Sequence, residues 1–284
     1  MNWLQKSARF YIPRDIRNWL RSPARSTEWV WYQTKYLMGI TQLVKMRPGW
    51  LLRSHPISYP LAYHAQQQDP EQIRELDVFI SHCREKMVFF DIGAHFGIFS
   101  FAALHFGGKD AQAVAVDPSP AATRILGIQA NLNEVGARLH IVRACAGDNL
   151  GSKSMVTTGA SGLCYFVPPM SHHGAREITK SDSITLDSLA QTYSLGPTHI
   201  KIDVEGAEAS VLKGGQNILT KFGPVLFLEL HNQMMIEQGS NPAEVLMMLQ
   251  DLHYQLFRLD GAPICNKALL SLPLARVVAK RITS

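Results

Sequence analysis

Acidic side chains recur at one place in this chain, at or just after the end of short apolar runs. Asp91, Asp117, Asp148, Asp203 with Glu205, and Glu229 with His231 all stand there. In an open α/β sheet, ligands bind beyond the carboxyl ends of the strands, where the strand order reverses. Such a set therefore suits a ligand bearing hydroxyls, amines or positive charge. Residues 88–97, VFFDIGAHFG, carry the most information. An apolar run ends at Asp91 and turns on Gly93 and Gly97 before a helix-like segment starts. The spacing is D-x-G-x-x-x-G, whereas dinucleotide enzymes use G-x-G-x-x-G. Asp91 stands where the first glycine of that fingerprint would lie, and a carboxylate there repels a pyrophosphate. A phosphate-free ligand with an amino group and a ribose fits better. Asp117, 20 residues after Gly97, is placed to take two ribose hydroxyls with its two oxygens. Asp203, Glu205, Glu229, His231 and His95 are candidates for moving a proton. Lys201 shares a strand side with Asp203, and a lysine in a central strand must be paired, because an unpaired buried charge is costly. Glu229 or Asp203 is the expected partner, leaving Glu205 or His231 as the freer base.

These residues need strands and helices in alternation to hold them. Strands are expected at 87–91, 113–117, 139–145, 198–203, 225–231 and 254–259. Helices are expected at 96–106, from 119 to near Gly136, at 205–220 and at 242–253. Near-continuous apolar strands separated by helices indicate a mostly parallel sheet covered on both faces. Upstream, Asp69-Pro70-Glu71 reads as a helix start, with Asp69 as N-cap and Pro70 in the first turn of a helix over 70–83. A helix over 26–44 would bring Trp29, Tyr32, Tyr36 and Leu43 to one side. Residues 149–183 break the alternation; they are rich in Gly, Ser and Thr and include Pro168-Pro169 and His172-His173. A connection that long is expected to be a functional lid or partly disordered. Glu208, at helix spacing, reads as a solvated or helix-start carboxylate.

Composition narrows the class. The 284 residues are 46% hydrophobic and 18% charged, as in an ordinary globular protein. The four cysteines contain no C-x-x-C pair, which gives no zinc or disulfide framework and fits a reducing compartment. No run reaches the ~18 uncharged apolar residues of a membrane span, and the first residues lack a signal-peptide pattern, so a cytoplasmic location is expected. The net charge of +5 is unevenly spread. Residues 1–53 hold ten basic against two acidic side chains, while the remainder holds 18 basic against 21 acidic. The basic arm also holds all five tryptophans. It suits a helical cap on the sheet or a membrane-surface contact, and no nucleic-acid partner is expected.

Several segments resemble a known family. VFFDIGAHFG followed by AVAVDPSP is similar to motif I and the next acidic strand of class I S-adenosylmethionine-dependent methyltransferases. IVRACAGDNLG (141–151), SITLDSL (183–189) and HIKIDVEGAEASVLKGG (199–215), followed by VLFLELH, resemble the FkbM family more specifically. The resemblance runs over about 85–260, and the IKIDVEGAE block is its most specific part. It implies a Rossmann-like, doubly wound, mostly parallel seven-stranded sheet over 85–284, with 1–84 as a helical N-terminal extension. It implies S-adenosyl-L-methionine in the cleft. Gly93 and its neighbours Asp91, Ala94, His95 and Gly97 would face the methionine moiety, Asp117 with Pro118 the ribose, and Asp148 the adenine, with Asp203 bordering the same site. Family members methylate hydroxyl oxygens of sugars, glycolipids or natural products, so the implied acceptor is a small molecule or glycan. Glu205, Asp203, His231 and Glu229 form the implied catalytic group, with no metal. His95 departs from the family's usual Asn at that position. Two rivals are a non-catalytic scaffold of the same fold, disfavoured by the intact acidic group, and a nicotinamide oxidoreductase, disfavoured by Asp91.

Overall fold

The computed structural model describes residues 34, 35, 38, 40–157, 164–166 and 177–282. The chain then forms a hairpin, β1 (Gln42–Arg47) and β2 (Trp50–Ser54), antiparallel around Pro48-Gly49. The helix expected through Val44 is therefore corrected over its last residues. Val44 and Met46 alternate inward with Leu43 and Lys45 outward, a period of two. The rest of that expected helix lies mostly outside the described residues. Two short helical passages, Tyr59–Tyr63 and Ala65–Gln68, lead to α1 (Pro70–His82), capped as expected by the Asp69 side chain on the Glu71 N–H.

The βα alternation follows with β3 (Val88–Ile92), α2 (Ile98–Phe106), β4 (Gln112–Val116), α3 (Pro120–Leu132) and β5 (Leu139–Val142). A side sheet comes next, from β6 (Cys145–Ala146), β7 (Gly151–Thr157), β8 (Cys164–Phe166) and β9 (Glu177–Ile184). Its order is β6-β9-β7-β8. Where the segment expected to be a lid or partly disordered is described, much of it is paired strand. Its Gly, Ser and Thr residues hid the alternation, because backbone pairing needs no apolar face. His172 and His173 lie outside the described residues.

The main chain then returns through α4 (Leu186–Tyr193), β10 (His199–Ile202), α5 (Glu208–Lys213), α6 (Gln216–Phe222) and β11 (Val225–Leu230). It ends with α7 (Asn232–Glu237), α8 (Pro242–Asp251), β12 (Tyr254–Arg258), α9 (Asn266–Leu270) and β13 (Ala275–Arg281). The single helix expected over 205–220 is two helices broken at Gly214-Gly215. A Cβ on Gly214 would lie 2.0 Å from the Gly147 carbonyl oxygen, so the helix bends where it meets the turn after β6.

The seven-stranded sheet has the order β12-β13-β11-β10-β3-β4-β5. Strands β5, β4, β3, β10 and β11 run parallel, and β13 lies antiparallel between β11 and β12. Two cores cover the faces. One packs α1, α2, α3 and the hairpin's Trp50 and Leu52 against Phe89, Ala113 and Phe227. The other packs α4, α5, α6 and α8 against Phe90, Ile200, Ile202 and Leu228. The chain leaves β3 toward β4 on one side and β10 toward β11 on the other, so the switch point falls between β3 and β10. Among the described residues, no helix is long and apolar enough to cross a membrane.

Candidate functional site

The turn after β3 is shaped by close approaches. The N–H groups of Gly93 and Ala94 both donate to the Val116 carbonyl, at 2.9 and 3.0 Å, which ties the end of β3 to the end of β4. Gly93 has φ +85°, and a Cβ there would sit 1.8 Å from the Asp203 carbonyl oxygen. Only glycine lets this loop press against the end of β10. Gly97, at φ +76°, opens α2 beside Leu126 in the same constrained way. Asp91 is buried, and its Oδ2 accepts the Ser100 N–H at 3.0 Å and the Ser100 hydroxyl at 2.6 Å. It therefore anchors the first turn of α2, where a negative charge suits the helix dipole. Burial raises its pKa above the ordinary carboxylate range.

Asp117 is the hinge between the β3 and β4 loops. Its Oδ1 accepts the Ser119 N–H at 2.8 Å and its Oδ2 the His95 N–H at 2.9 Å. Each oxygen keeps a further lone pair, so the carboxylate is oriented for a diol without being consumed. Burial pushes its pKa up to about 6. The His95 ring stacks on that of Phe96, with centroids 3.8 Å apart.

A cavity of about 330 Å³ runs along these strand ends. Its lining includes Asp91, Gly93, Ala94, His95, Asp117, Pro118, Asp203, Glu205, Glu229 and His231. Of the expected site residues, Gly97 and Asp148 fall outside this lining. Gly97 shapes the loop from behind. Asp148 instead pairs with the Lys153 ammonium at 3.2 Å; burial alone would raise its carboxyl, but Lys153 and Ser210 together hold it below its ordinary value. Ala144, Cys145 and Ala146 line the cavity at that end.

An ion cluster floors the other end. Lys201, buried on β10, reaches Glu229 at 2.8 Å, Asp203 at 3.1 Å and Glu75 at 3.5 Å, and its ammonium lies 4.7 Å from the Phe99 ring centre. Arg276 reaches Glu229 at 2.9 Å and Glu75 at 3.2 Å. Lys201 thus meets both expected partners and a third. Burial penalises every charge here, yet the two cations hold Glu229 well below its ordinary range. Glu75 goes the other way, to about 8, because burial outweighs the help from Lys201. Asp203 rises to about 6 through burial and its neighbour Glu229. Asp203, Glu229 and His231 place ligand atoms within 4.8 Å of one another. Both Glu229 oxygens already face cationic side chains, however, so the Lys201 ammonium supplies the positive charge at that point.

Glu205 and His231 stand at the edge of this cluster. Glu205 lies in the turn after β10 with φ +50°, a left-handed conformation held by the Gln238 amide on its carbonyl at 2.9 Å. Its Oε2 is buried and has no hydrogen-bond partner. Burial, and then the Asp203 charge, push the Glu205 carboxyl up to about 7. His231 Nδ1 lies 2.8 Å from Glu208 Oε1, and its Nε2 lies 3.8 Å from Asp203. Glu208 opens α5, the helix-start place expected of it, but it is fully buried and not solvated. Glu75, Arg276 and Glu208 were missed as site residues. Only Glu208 carried a signal, its place within the VEGAE block.

Five parallel strands with an antiparallel β13 inserted next to β11, and a glycine-and-acid loop at the switch point, make this a class I methyltransferase fold. A family model described as the methyltransferase FkbM domain matches residues 91–256, more than half of the chain, and the protein belongs to that family. Among solved structures, the FkbM methyltransferase from Methylobacillus flagellatus KT is 16% identical with a TM-score of 0.45. The match covers 69% of this chain and 44% of that one, so the chain spans less than half the length of that relative. A putative rRNA methylase from Clostridium thermocellum is 8% identical with a TM-score of 0.48, over 75% of this chain and 96% of that one. TYW2 from M. jannaschii, solved in complex with AdoMet, is 13% identical with a TM-score of 0.40, over 85% and 87%. No curated protein matches the chain.

Proposed function

We propose that the protein transfers a methyl group from S-adenosyl-L-methionine to a hydroxyl oxygen of a sugar, glycolipid or natural product, with Glu205 as the base. The observation that carries this reading is the buried, unpartnered Oε2 of Glu205 in the cavity behind Gly93. The donor fits the residues present: a glycine-floored loop that admits close backbone approach, a diol-oriented Asp117, and lining cations, Lys201 and Arg276, that are already paired with carboxylates. When bound, S-adenosylmethionine supplies an electrophilic methyl on a good sulfonium leaving group, so alignment provides much of the rate. Gly93, Ala94 and Asp117 hold and orient it. Glu205 receives the hydroxyl proton as the acceptor oxygen gains the methyl carbon, and a carboxyl poised near 7 suits that transfer.

Thermal unfolding tests the donor assignment. S-adenosylmethionine and S-adenosylhomocysteine at about a thousandfold over a micromolar Kd should each stabilise the protein by about 4 kcal/mol, while NAD leaves it unchanged. No shift with either adenosyl ligand sinks the assignment. Carbon-13 in the donor methyl then reports the product bond by NMR: an O-methyl signal supports the acceptor class, and an N-methyl signal removes it.

The same reading includes a peripheral membrane contact for the N-terminal region. The outer face of the hairpin pairs exposed Leu43 with Arg53 and Lys45 with exposed Leu51. Apolar side chains interleaved with cations suit an anionic lipid surface. Flotation with anionic vesicles is expected, and L43E/L51E should reduce it at unchanged Tm. Equal flotation of both proteins removes the membrane contact.

A further inference from the structure

The wall of the cavity opposite the strand ends comes from the chain before β3, through Ala62, Gln66 and Gln72. Gln66 is 6% exposed. Its Nε2 donates to Gln72 Oε1 at 3.1 Å, while its own Oε1 is buried and accepts no hydrogen bond. A buried acceptor left unmade is costly unless a ligand satisfies it. Gln72 lies one helical turn before Glu75, on the same face of α1. Because Glu75 reaches Lys201 of β10, the amide pair stands over the β3–β10 side of the cavity.

The strand order says which part of the donor reaches this place. Asp117 follows β4, and Ala144–146 lie beyond β5, so the ribose and the base occupy the β4–β5 side. The other end of the ligand then runs toward β3 and β10. In S-adenosylmethionine that end is an α-amino acid, whose ammonium needs acceptors. The lining there includes Gln66, whose Oε1 has no partner, beside Asp91, Asp203 and Glu229, which Ser100, Lys201 and Arg276 already engage. We propose that Gln66, held in place by Gln72, accepts a hydrogen bond from the ammonium group at the amino-acid end of the methyl donor. The N-terminal region therefore reads the donor as well as covering it. This rests on the donor named under the proposed function.

Two ligands separate the claims. S-adenosylhomocysteine carries the amino-acid end, and 5′-methylthioadenosine lacks it. In calorimetric titrations of the full chain, Q66L should weaken S-adenosylhomocysteine binding by about tenfold or more, as expected for losing a hydrogen bond to a charged group. It should leave 5′-methylthioadenosine within about twofold, which also reports that the site is still folded. Q66E, which keeps an acceptor, should retain the preference for S-adenosylhomocysteine. If Q66L weakens both ligands equally, or neither, Gln66 does not read the amino-acid end. If the wild-type protein binds neither ligand, the donor assignment fails along with it.

Discussion

Glu205→Gln should leave S-adenosylhomocysteine affinity unchanged and cut methyl transfer by about 10²–10⁴-fold, the usual contribution of a positioned base. The other acids of the site are already committed. Both oxygens of Glu229 face cations, and Asp203 Oδ2 faces Lys201. His231 is held through Nδ1 by Glu208. Glu205 alone among these combines a place in the cavity lining, an unpartnered buried oxygen and a pKa of about 7. Its active form is the carboxylate, so the wild-type rate should rise with pH through about 7 and level off above it. The glutamine variant should lose that inflection along with the rate. The measurement is transfer of labelled methyl into a glycolipid and small-molecule extract across pH 5.5–9, beside calorimetry with S-adenosylhomocysteine. Lost donor binding, or an unchanged pH profile, would mean that Glu205 is not the base.

Much of this arrangement was legible in the residues themselves. Asp91, Gly93 and Asp117 announced the loop because a parallel sheet gathers its ligand at strand ends. Their detailed work was less legible. Asp91 was expected at the donor, and it does line the cavity, but its Oδ2 is spent on Ser100. That bond depends on how α2 departs from the turn, which a spacing rule does not contain. Lys201 advertised its need for partners, and two of them were nameable because they lie on the same or an adjacent strand. Glu75 was not, since it enters from α1, far upstream, where a glutamate on an amphipathic helix looks like any solvated one. Arg276 sits on β13, a strand that the alternation of apolar runs did not reveal. The strands Gly151–Thr157, Cys164–Phe166 and Glu177–Ile184 went unread for the opposite reason: strands paired through their backbones need little hydrophobic pattern to form.

Lys201→Met should be the most destabilising single change in the site, at about 3–5 kcal/mol near pH 8, because it leaves buried carboxylates without their shared cation. The lysine is 2% exposed and ties β10, β11 and α1 together through Asp203, Glu229 and Glu75. The loss should depend on pH, and its sign follows from the proton balance. Burial already raises Glu75 to about 8 and Asp203 to about 6, and the ammonium of Lys201 opposes both shifts. Removing it raises both groups further. A carboxyl whose pKa is raised by folding costs stability as pH climbs from its unfolded value toward its folded one, because the unfolded chain has already released the proton. The variant should therefore be hurt least near pH 5, where the buried acids carry protons, and most above pH 8. Glu229 runs the other way in the wild type. Held low by Lys201 and Arg276 against the cost of burial, it adds stability above the unfolded glutamate pKa that is lost only in acid. Without the lysine, that contribution shrinks to what Arg276 alone sustains. Urea unfolding of wild type and variant at pH 5.5 and pH 8.5 reads the difference directly. An equal loss at both values would mean that the methionine disturbs packing, and that the ammonium is not what allows three acids to share the floor of the cavity.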